Sequence, residues 1–426
     1  MTLKTAALLV SVSLILGGAC PLEASTPDER FLDKLEYDSI LYFAQQANPA
    51  NGLVKDSSRP GAPASVAAVG FGLAAICVGE SRGWIDREKA YERILTTLKT
   101  FRDIVPNEHG FLYHFLDMRT GSRTWNSEVS SIDTALFVAG ALFAGEHFKG
   151  TEVQRIAQQI YERIDWPWML NGKSVLCMGW RPESGFLWYY WDSYSEAMIL
   201  YALAIGSPTH PIPGASWSAW ARPVDTYKDF KVIYCYTGSL FTYQYSHAFI
   251  DFRNLYDGDI NYFENSVNAV KANRAFCADN ASQYTSYGED SWGLTACLGP
   301  EGYKGYGAKP GAALNDGTIA PSGIAGSIIF DWQASIAGLK NLHEKHKSFL
   351  YGKYGFKDAF NLDKGWWAEE YLGIDVGITL LMIENYRTGL IWNEFMRLDA
   401  VKKWIALCLT VKEPDAGKSE NKFDKQ

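Results

Sequence analysis

Six stretches of the chain carry too little charge to serve as surface helices: Ala62 to Val78, Ser127 to Gly145, Ser193 to Ile205, Tyr243 to Phe252, Pro321 to Phe330 and Gly373 to Tyr386. As a group they are rich in Ala, Gly and Ser, so a helix built from any of them lacks a wet face and must be enclosed by others. Between them lie amphipathic, charged stretches such as Asp86 to Val105 and Thr151 to Ile164, whose apolar residues recur every three or four positions. Helices of that second kind keep one wet face and can wrap the first kind. An inner ring of six enclosed helices inside an outer ring predicts an all-α, (α/α)6 toroid; the alternative is an irregular helical bundle. Strands are confined to short hairpins, with candidates around Tyr189 and Ile233 to Tyr236, because no regular strand–helix alternation occurs.

The composition is even across 426 residues and no Pro/Gly/Ser linker interrupts it, which predicts a single domain over 25–412. Thr26-Pro27-Asp28-Glu29 is a capping box with Pro at the first helical position, so a helix begins there. Ahead of it, Lys4, an apolar run from Ala6 to Leu16 and the small residues Gly17, Gly18 and Ala19 make residues 1–24 a signal peptide, and the protein an exported one, periplasmic or extracellular. Two processing routes stay open: ordinary cleavage after Ala24, or lipid anchoring at Cys20, although Leu16 lies one place too far upstream for a lipoprotein site. The charged stretch 413–426 reads as a disordered tail. The remaining cysteines are too scattered for a stapled scaffold, and only Cys277 with Cys297 is a pair worth testing for a bridge.

A net charge of −8 with no Lys/Arg block excludes a nucleic-acid partner, which needs clustered cations. Beyond the leader no run of about 18 apolar residues is present to span a membrane. The 15 Trp and 24 Tyr, flat apolar faces with polar edges, suit a neutral sugar polymer, or else a large aromatic core. The sequence does not specify an oligomeric state.

Carboxylates supply the chemistry. Glu128, Glu196 and Asp375 lie near the starts of three presumed inner helices, and Asp133 follows Glu128 by a turn and a half. In a toroid of parallel inner helices the N-termini open on one face, so these side chains converge. A lone acidic residue at a helix start is most simply a cap, stabilised there by up to about 1 kcal/mol; several converging beside aromatic loops are a site. Glycosidic cleavage needs one protonated acid and one ionised base or nucleophile. Burial among Tyr194, Trp188 and Trp191 would raise the Glu196 pKa, as the acid requires. Candidate sugar contacts on the long loops are Trp188, Trp191, Trp292, Tyr303, Tyr306, Trp366, Trp367 and Tyr371, joined by Arg59, Asp192, Gln244 and His247.

Other motifs fail on context. Gly79-Glu80-Ser81-Arg82-Gly83 matches a hydrolase nucleophile pattern but follows a helix where a strand is required. Gly70-Phe71-Gly72 lies inside a helix with no preceding strand. Asp257-Gly258-Asp259 begins like a calcium loop, yet Tyr262 takes the Gly position, so capping of the next helix is preferred. His343-Glu344-Lys345-His346 has the wrong spacing for a zinc helix. Neither a metal nor a cofactor is expected.

Taken together, several segments resemble the glycoamylase-like proteins of glycoside hydrolase family 144: Trp125-Asn126-Ser127-Glu128 through Asp133-Thr134-Ala135, and Tyr194-Ser195-Glu196-Ala197-Met198 running into Gly206-Ser207-Pro208-Thr209-His210-Pro211. Phe241 to Asn254, Trp292-Gly293-Leu294, Asp316-Gly317-Thr318 with Pro321, and Ile383-Glu384-Asn385-Tyr386-Arg387 extend the likeness over about residues 30 to 395. The resemblance implies an (α/α)6 barrel and hydrolysis of β-1,2-glucan with inversion and without cofactor. It implies Glu196 as general acid and Asp375 as base, with Glu128 and Asp133 holding or polarising the sugar, and a base that can reach water through a substrate hydroxyl. One departure stands out: the family usually has Gln and Gly-Pro after the Asp of Gly-Ile-Asp, whereas this chain has Val376, Gly377 and Ile378.

Three rival functions fit a toroid. A polysaccharide lyase would use Arg59, Arg181, His247 and Arg253 against a uronate and release unsaturated, ultraviolet-absorbing products. A noncatalytic glycan-binding protein would bind without forming products. A transferase would move the glucan to another sugar.

Overall fold

The computed structural model describes residues 26–412; the leader, Cys20 and the charged tail lie outside the described residues. Fourteen α-helices are described: α1 (Pro27–Gln45), α2 (Val66–Ser81), α3 (Arg87–Asp103), α4 (Ser131–His147), α5 (Glu152–Glu162), α6 (Trp166–Leu170), α7 (Met198–Gly206), α8 (Ala215–Ala219), α9 (Tyr262–Asp279), α10 (Pro321–Ala325), α11 (Trp332–Leu350), α12 (Gly373–Arg387), α13 (Leu390–Phe395) and α14 (Asp399–Cys408). Local chemistry sets their starts as read. Thr26 and Glu29 form a reciprocal capping box on α1, Asp86 accepts from the Glu88 and Lys89 amides of α3, and Asn261 caps α9.

The inner ring closes. Helix α2 packs on α4, α4 on α7, α10 on α12, and α12 back on α2. The station between α7 and α10 is held by residues 240–254. This segment is not the helix that its buried character predicts: it consists of two 3₁₀ turns, Leu240–Tyr243 and Ser246–Ala248, followed by irregular chain. Two of its side chains and one of its carbonyls tie it to the neighbouring helices. Ser246 Oγ accepts from the Ile199 amide of α7 at 2.9 Å, Gln244 Nε2 donates to the Gly323 carbonyl of α10 at 2.9 Å, and the Ala248 carbonyl accepts from Asn385 of α12 at 2.8 Å. Its amides still bond locally, Tyr245 to the Phe241 carbonyl and Ile250 to the Ser246 carbonyl, both at 3.0 Å. The fifth predicted inner stretch is likewise shortened: α10 stops at Ala325, and a Cβ on Gly326 would meet the Gln244 amide.

Around this ring, α1 packs on α2 and α12, α3 and α5 on each other and on α2 and α4, α9 on the 240–243 turn and α11 on α10. The outer place beside α7 is filled by the C-terminal helix α14, whose Ala400 carbonyl lies against Gly206. The result is the α/α toroid, with one principal core cluster running from Leu32 to Trp404. Strands occur as two- and three-stranded pieces, the hairpins Gly179–Arg181 with Gly185–Phe186 and Val224–Tyr227 with Phe230–Ile233 among them.

Helices α2 and α4 approach most closely where Gly70 faces Gly140. A Cβ on Gly140 would collide with the Gly70 carbonyl, and one on Gly70 with the Leu136 carbonyl and Phe137. The C-terminal ends of the inner helices are locked by charge. Glu36, fully buried on α1, contacts Arg82 and Arg387, while Arg82 also pairs with Glu384 of α12 at 2.7 Å. His147, closing α4, lies between Glu80 at 2.8 Å and Glu394 at 3.1 Å.

The possible Cys277–Cys297 bridge is not formed: both are free, buried thiols, as are Cys77, Cys177 and Cys235. Among the described residues, no helix is long and apolar enough to cross a membrane, and no cluster of three or more His, Cys, Asp or Glu is arranged to hold a metal ion.

Candidate active site

The end of the toroid that carries the inner-helix N-termini gathers acidic side chains. Asp375 sits in the first turn of α12, and the Gly373 amide two residues before it donates to the Asp56 carbonyl at 2.7 Å. Ser57 bridges to Leu372, and the Ser58 amide donates to the Tyr371 carbonyl at 2.9 Å, stitching the polar turn ahead of α2 to the start of α12. That stitch brings Asp56, with exposed Arg59 beside it, into the electrostatic field of Asp375.

Glu196 lies just ahead of α7, its carbonyl accepting from Ser246 Oγ at 2.6 Å. Asp133 occupies the first turn of α4 and takes a short bond from the helix-capping Ser130 Oγ, 2.5 Å long. Glu128 precedes α4 by three residues, on the approach to a short strand rather than on the helix itself. His114 joins the last two: its Nδ1 is 3.0 Å from Glu128 and its Nε2 3.5 Å from Asp133. Arg181, on the neighbouring hairpin, reaches the other Glu128 oxygen at 3.4 Å.

These neighbours sort the carboxyl groups by charge. Burial pushes Glu196 up to about 7, with the negative Asp133 adding to the effect. Burial pushes Asp375 up to about 6, against the neighbouring Asp358 and Ser322 side chains, which favour its anion. Asp56 is likewise raised to about 6 by burial, with His114 and Arg59 opposing and Asp133 reinforcing. Glu128 goes the other way: its bond from His114 outweighs burial and lowers it to about 2. Burial disfavours charge on His114, yet Asp133, Glu128 and Asp56 together raise it to about 9, so it stays an imidazolium at neutral pH.

Tyr245 is the group on which the two key carboxyls both act. Its buried hydroxyl is raised by burial and by the charges of both Asp375 and Glu196, which therefore lie within electrostatic reach of a single phenol. Both carboxyls are thus held above the ordinary carboxylate range by burial.

The predicted aromatic contacts divide. Trp188 is 94% exposed, and Tyr303 has an exposed ring whose hydroxyl senses Asp375 and Asp358. Trp366 and Trp367 are half-buried on a short hairpin, Trp367 stacking on Phe360 and Phe349. Asp192 is exposed, and Tyr371 is buried against Tyr354. The others belong to the scaffold. Trp292 fills the core against Gly338, and Tyr306 is buried with its hydroxyl 3.3 Å from Asp316. Trp191 donates to Ser131, and Gln244 is committed to Gly323 and Ser327. His247 lies wholly buried against Ser266, its pKa lowered by burial to about 3. Sequence reasoning missed Asp56, His114, Tyr245 and Asp358. Asp56 alone had a local signal, the polar turn Lys55-Asp56-Ser57-Ser58 directly ahead of an inner helix.

Comparison with known proteins agrees with this architecture. The family model described as "Putative glucoamylase" matches residues 188–399. The crystal structure of a protein of the same description from Bacteroides uniformis is 32% identical, covers 91% of this chain and 99% of its own, and superposes with a TM-score of 0.85. The chain belongs to the glycoamylase-like family. Another solved relative, the endo-β-1,2-glucanase of Chitinophaga pinensis in complex with sophorotriose and glucose, is 28% identical over 91% of this chain and 99% of that one, with a TM-score of 0.84. The exo β-1,2-glucooligosaccharide sophorohydrolase (non-reducing end) of Parabacteroides distasonis is 31% identical over 90% of this chain. This glycoamylase-like chain spans 58% of that protein's length. The family resemblance read from the motifs is borne out, and the departure after Asp375 has a location: Val376 is buried and lines, with Leu35 and Ser39, a small cavity behind Asp375.

Proposed function

We propose that this glycoamylase-like protein is a glycoside hydrolase that cleaves β-1,2-glucan with inversion, Glu196 acting as general acid and Asp375 as base. The observation that carries the assignment is a pair of carboxyls, Glu196 raised to about 7 and Asp375 to about 6, that both act on the buried Tyr245 hydroxyl. Protonated Glu196 gives its proton to the departing glycosidic oxygen as the C–O bond breaks. Ionised Asp375 takes a proton from the attacking water, directly or through a sugar hydroxyl, as the new C–O bond forms on the opposite face. Glu128 and His114, a fixed anion and cation, suit orientation of sugar hydroxyls rather than proton transfer. The half-buried and exposed rings of Trp188, Tyr303, Trp366 and Trp367 suit stacking on the pyranose faces. Export, read from the apolar leader, fits an enzyme that meets a polymer outside the cytoplasm.

Incubation of the purified protein with β-1,2-glucan and, separately, with the β-1,3-glucan laminarin tests this reading: short β-1,2-linked oligosaccharides from the first and none from the second are expected. Products absorbing in the near ultraviolet, or binding with no product, would move the protein to a lyase or a binding function.

The pair also sets a pH profile. Asp375 must be ionised, so kcat/KM rises as pH climbs through about 6; Glu196 must be protonated, so it falls above about 7. A narrow bell between these limbs is the expected curve on β-1,2-glucan. A rate flat from pH 5 to 9 would contradict the assignment.

A further inference from the structure

Asp358 has no part in the mechanism above, yet it is 3% exposed, lines the same small cavity as the proposed base Asp375 and interacts with it. Its place is fixed by backbone: the Asp358 amide donates to the Glu370 carbonyl at 3.0 Å, and Asp358 Oδ2 accepts from the Leu298 amide at 2.6 Å. That leaves Asp358 Oδ1, which as a carboxylate oxygen has no donor, and the same is true of Asp375 Oδ2. Two buried carboxylate oxygens, each an acceptor only, cannot bond to one another unless a proton lies between them.

We infer that Asp358 is a positioning residue: as a neutral carboxylic acid it donates through Oδ1 to Asp375 Oδ2, holding that base ionised and fixed in the cleft. The inference rests on the hydrolase reading for its catalytic meaning, though the shared proton itself does not. The proton belongs to Asp358, since burial and Asp375 together push its pKa well above the carboxylate range, whereas Asp358 and Ser322 favour the Asp375 anion. The surrounding charges agree. Asp56 faces Asp375 and Glu370 faces Asp358, both acidic, while Lys357, beside the same cavity, has its ammonium on Glu369 at 2.7 Å. The phenols of Tyr245 and Tyr303 and the thiol of Cys297 lie within the same field and are uncharged at neutral pH. One negative charge on the pair is favoured over two.

Infrared difference spectra between the wild type and Asp358→Asn test the proton without reference to activity. A protonated-carboxyl stretch persisting well above neutral pH, where Glu196 has ionised, should be present in the wild type and missing from the variant. No such difference band would overturn the inference, whatever the substrate proves to be. Kinetics test the role. Asp358→Asn keeps an amide donor for Asp375 and an acceptor for Leu298, so its rate should stay within about tenfold of the wild type with the acidic limb little moved. Asp358→Ala removes the donor, and a lost bond to a charged group corresponds to a rise of about 1 to 2 pH units in that limb, with KM little changed. An acidic limb unmoved in Asp358→Ala, or a loss in Asp358→Asn as deep as in Asp358→Ala, would refute the positioning role. Should Asp358→Ala fail to fold, the infrared arm and the Asp358→Asn rate decide. Should β-1,2-glucan be left intact by the wild type, the hydrolase reading fails while the infrared result stands.

Discussion

Replacing Glu196 by Gln is expected to lower turnover of β-1,2-glucan by about a thousandfold or more while leaving glucan affinity nearly unchanged. The amide keeps the size of the carboxyl and its place ahead of α7, where the Glu196 carbonyl is bonded to Ser246. It has no proton to give to a leaving oxygen, and general-acid catalysis of that kind contributes on the order of 100- to 10,000-fold. The effect therefore falls on kcat. Kinetics on β-1,2-glucan together with calorimetric binding of the same glucan separate the two quantities. A variant within tenfold of the wild-type kcat would pass the acid role to another carboxyl, with Asp133 the first to examine because its charge already acts on Glu196.

The largest effect on stability is expected far from this chemistry, at Gly140. A side chain there has no room, because the Gly70 carbonyl of α2 occupies the position of its Cβ. Gly140→Val must push two inner helices apart, and overpacking of this severity costs about 3 kcal/mol or more. Gly214→Ala is the matched control, since a Cβ there meets nothing nearer than 3.8 Å. Thermal or urea unfolding should show a large loss for Gly140→Val and almost none for Gly214→Ala. Similar midpoints for the two would mean that the α2–α4 contact is less tight than described.

The alternation of enclosed and amphipathic stretches was enough to specify the ring, because a helix without charge has nowhere to sit except inside one. It could not specify the path of residues 240–254. Burial was legible there, but the sequence did not reveal that Ser246, Gln244 and Asn385 would tie the segment to the helices on either side. The site shows the same division. Glu196, Asp375, Asp133 and Glu128 could be picked out because each lies near the start of an inner helix. Asp56, His114, Tyr245 and Asp358 could not, since loop stitching such as Ser58 to Tyr371 and Asp358 to Leu298 brings them in over long chain separations. The aromatic residues misled for a related reason. Trp292 and Tyr306 look as suited to sugar as Trp188 does, and only packing distinguishes a ring that faces the core from one left open to solvent.

The irregular inner station has a consequence for anyone mapping this protein by mutation. Gln244, His247 and Asn385 are wholly buried, and Gln244 and Asn385 bind this station to α10 and α12. An alanine screen scored on activity would rank them beside the acid and the base, although none need touch a sugar. Their signature would be a collapsed yield of folded protein rather than a slow enzyme, so a screen that also counts soluble molecules would tell the masonry from the machinery.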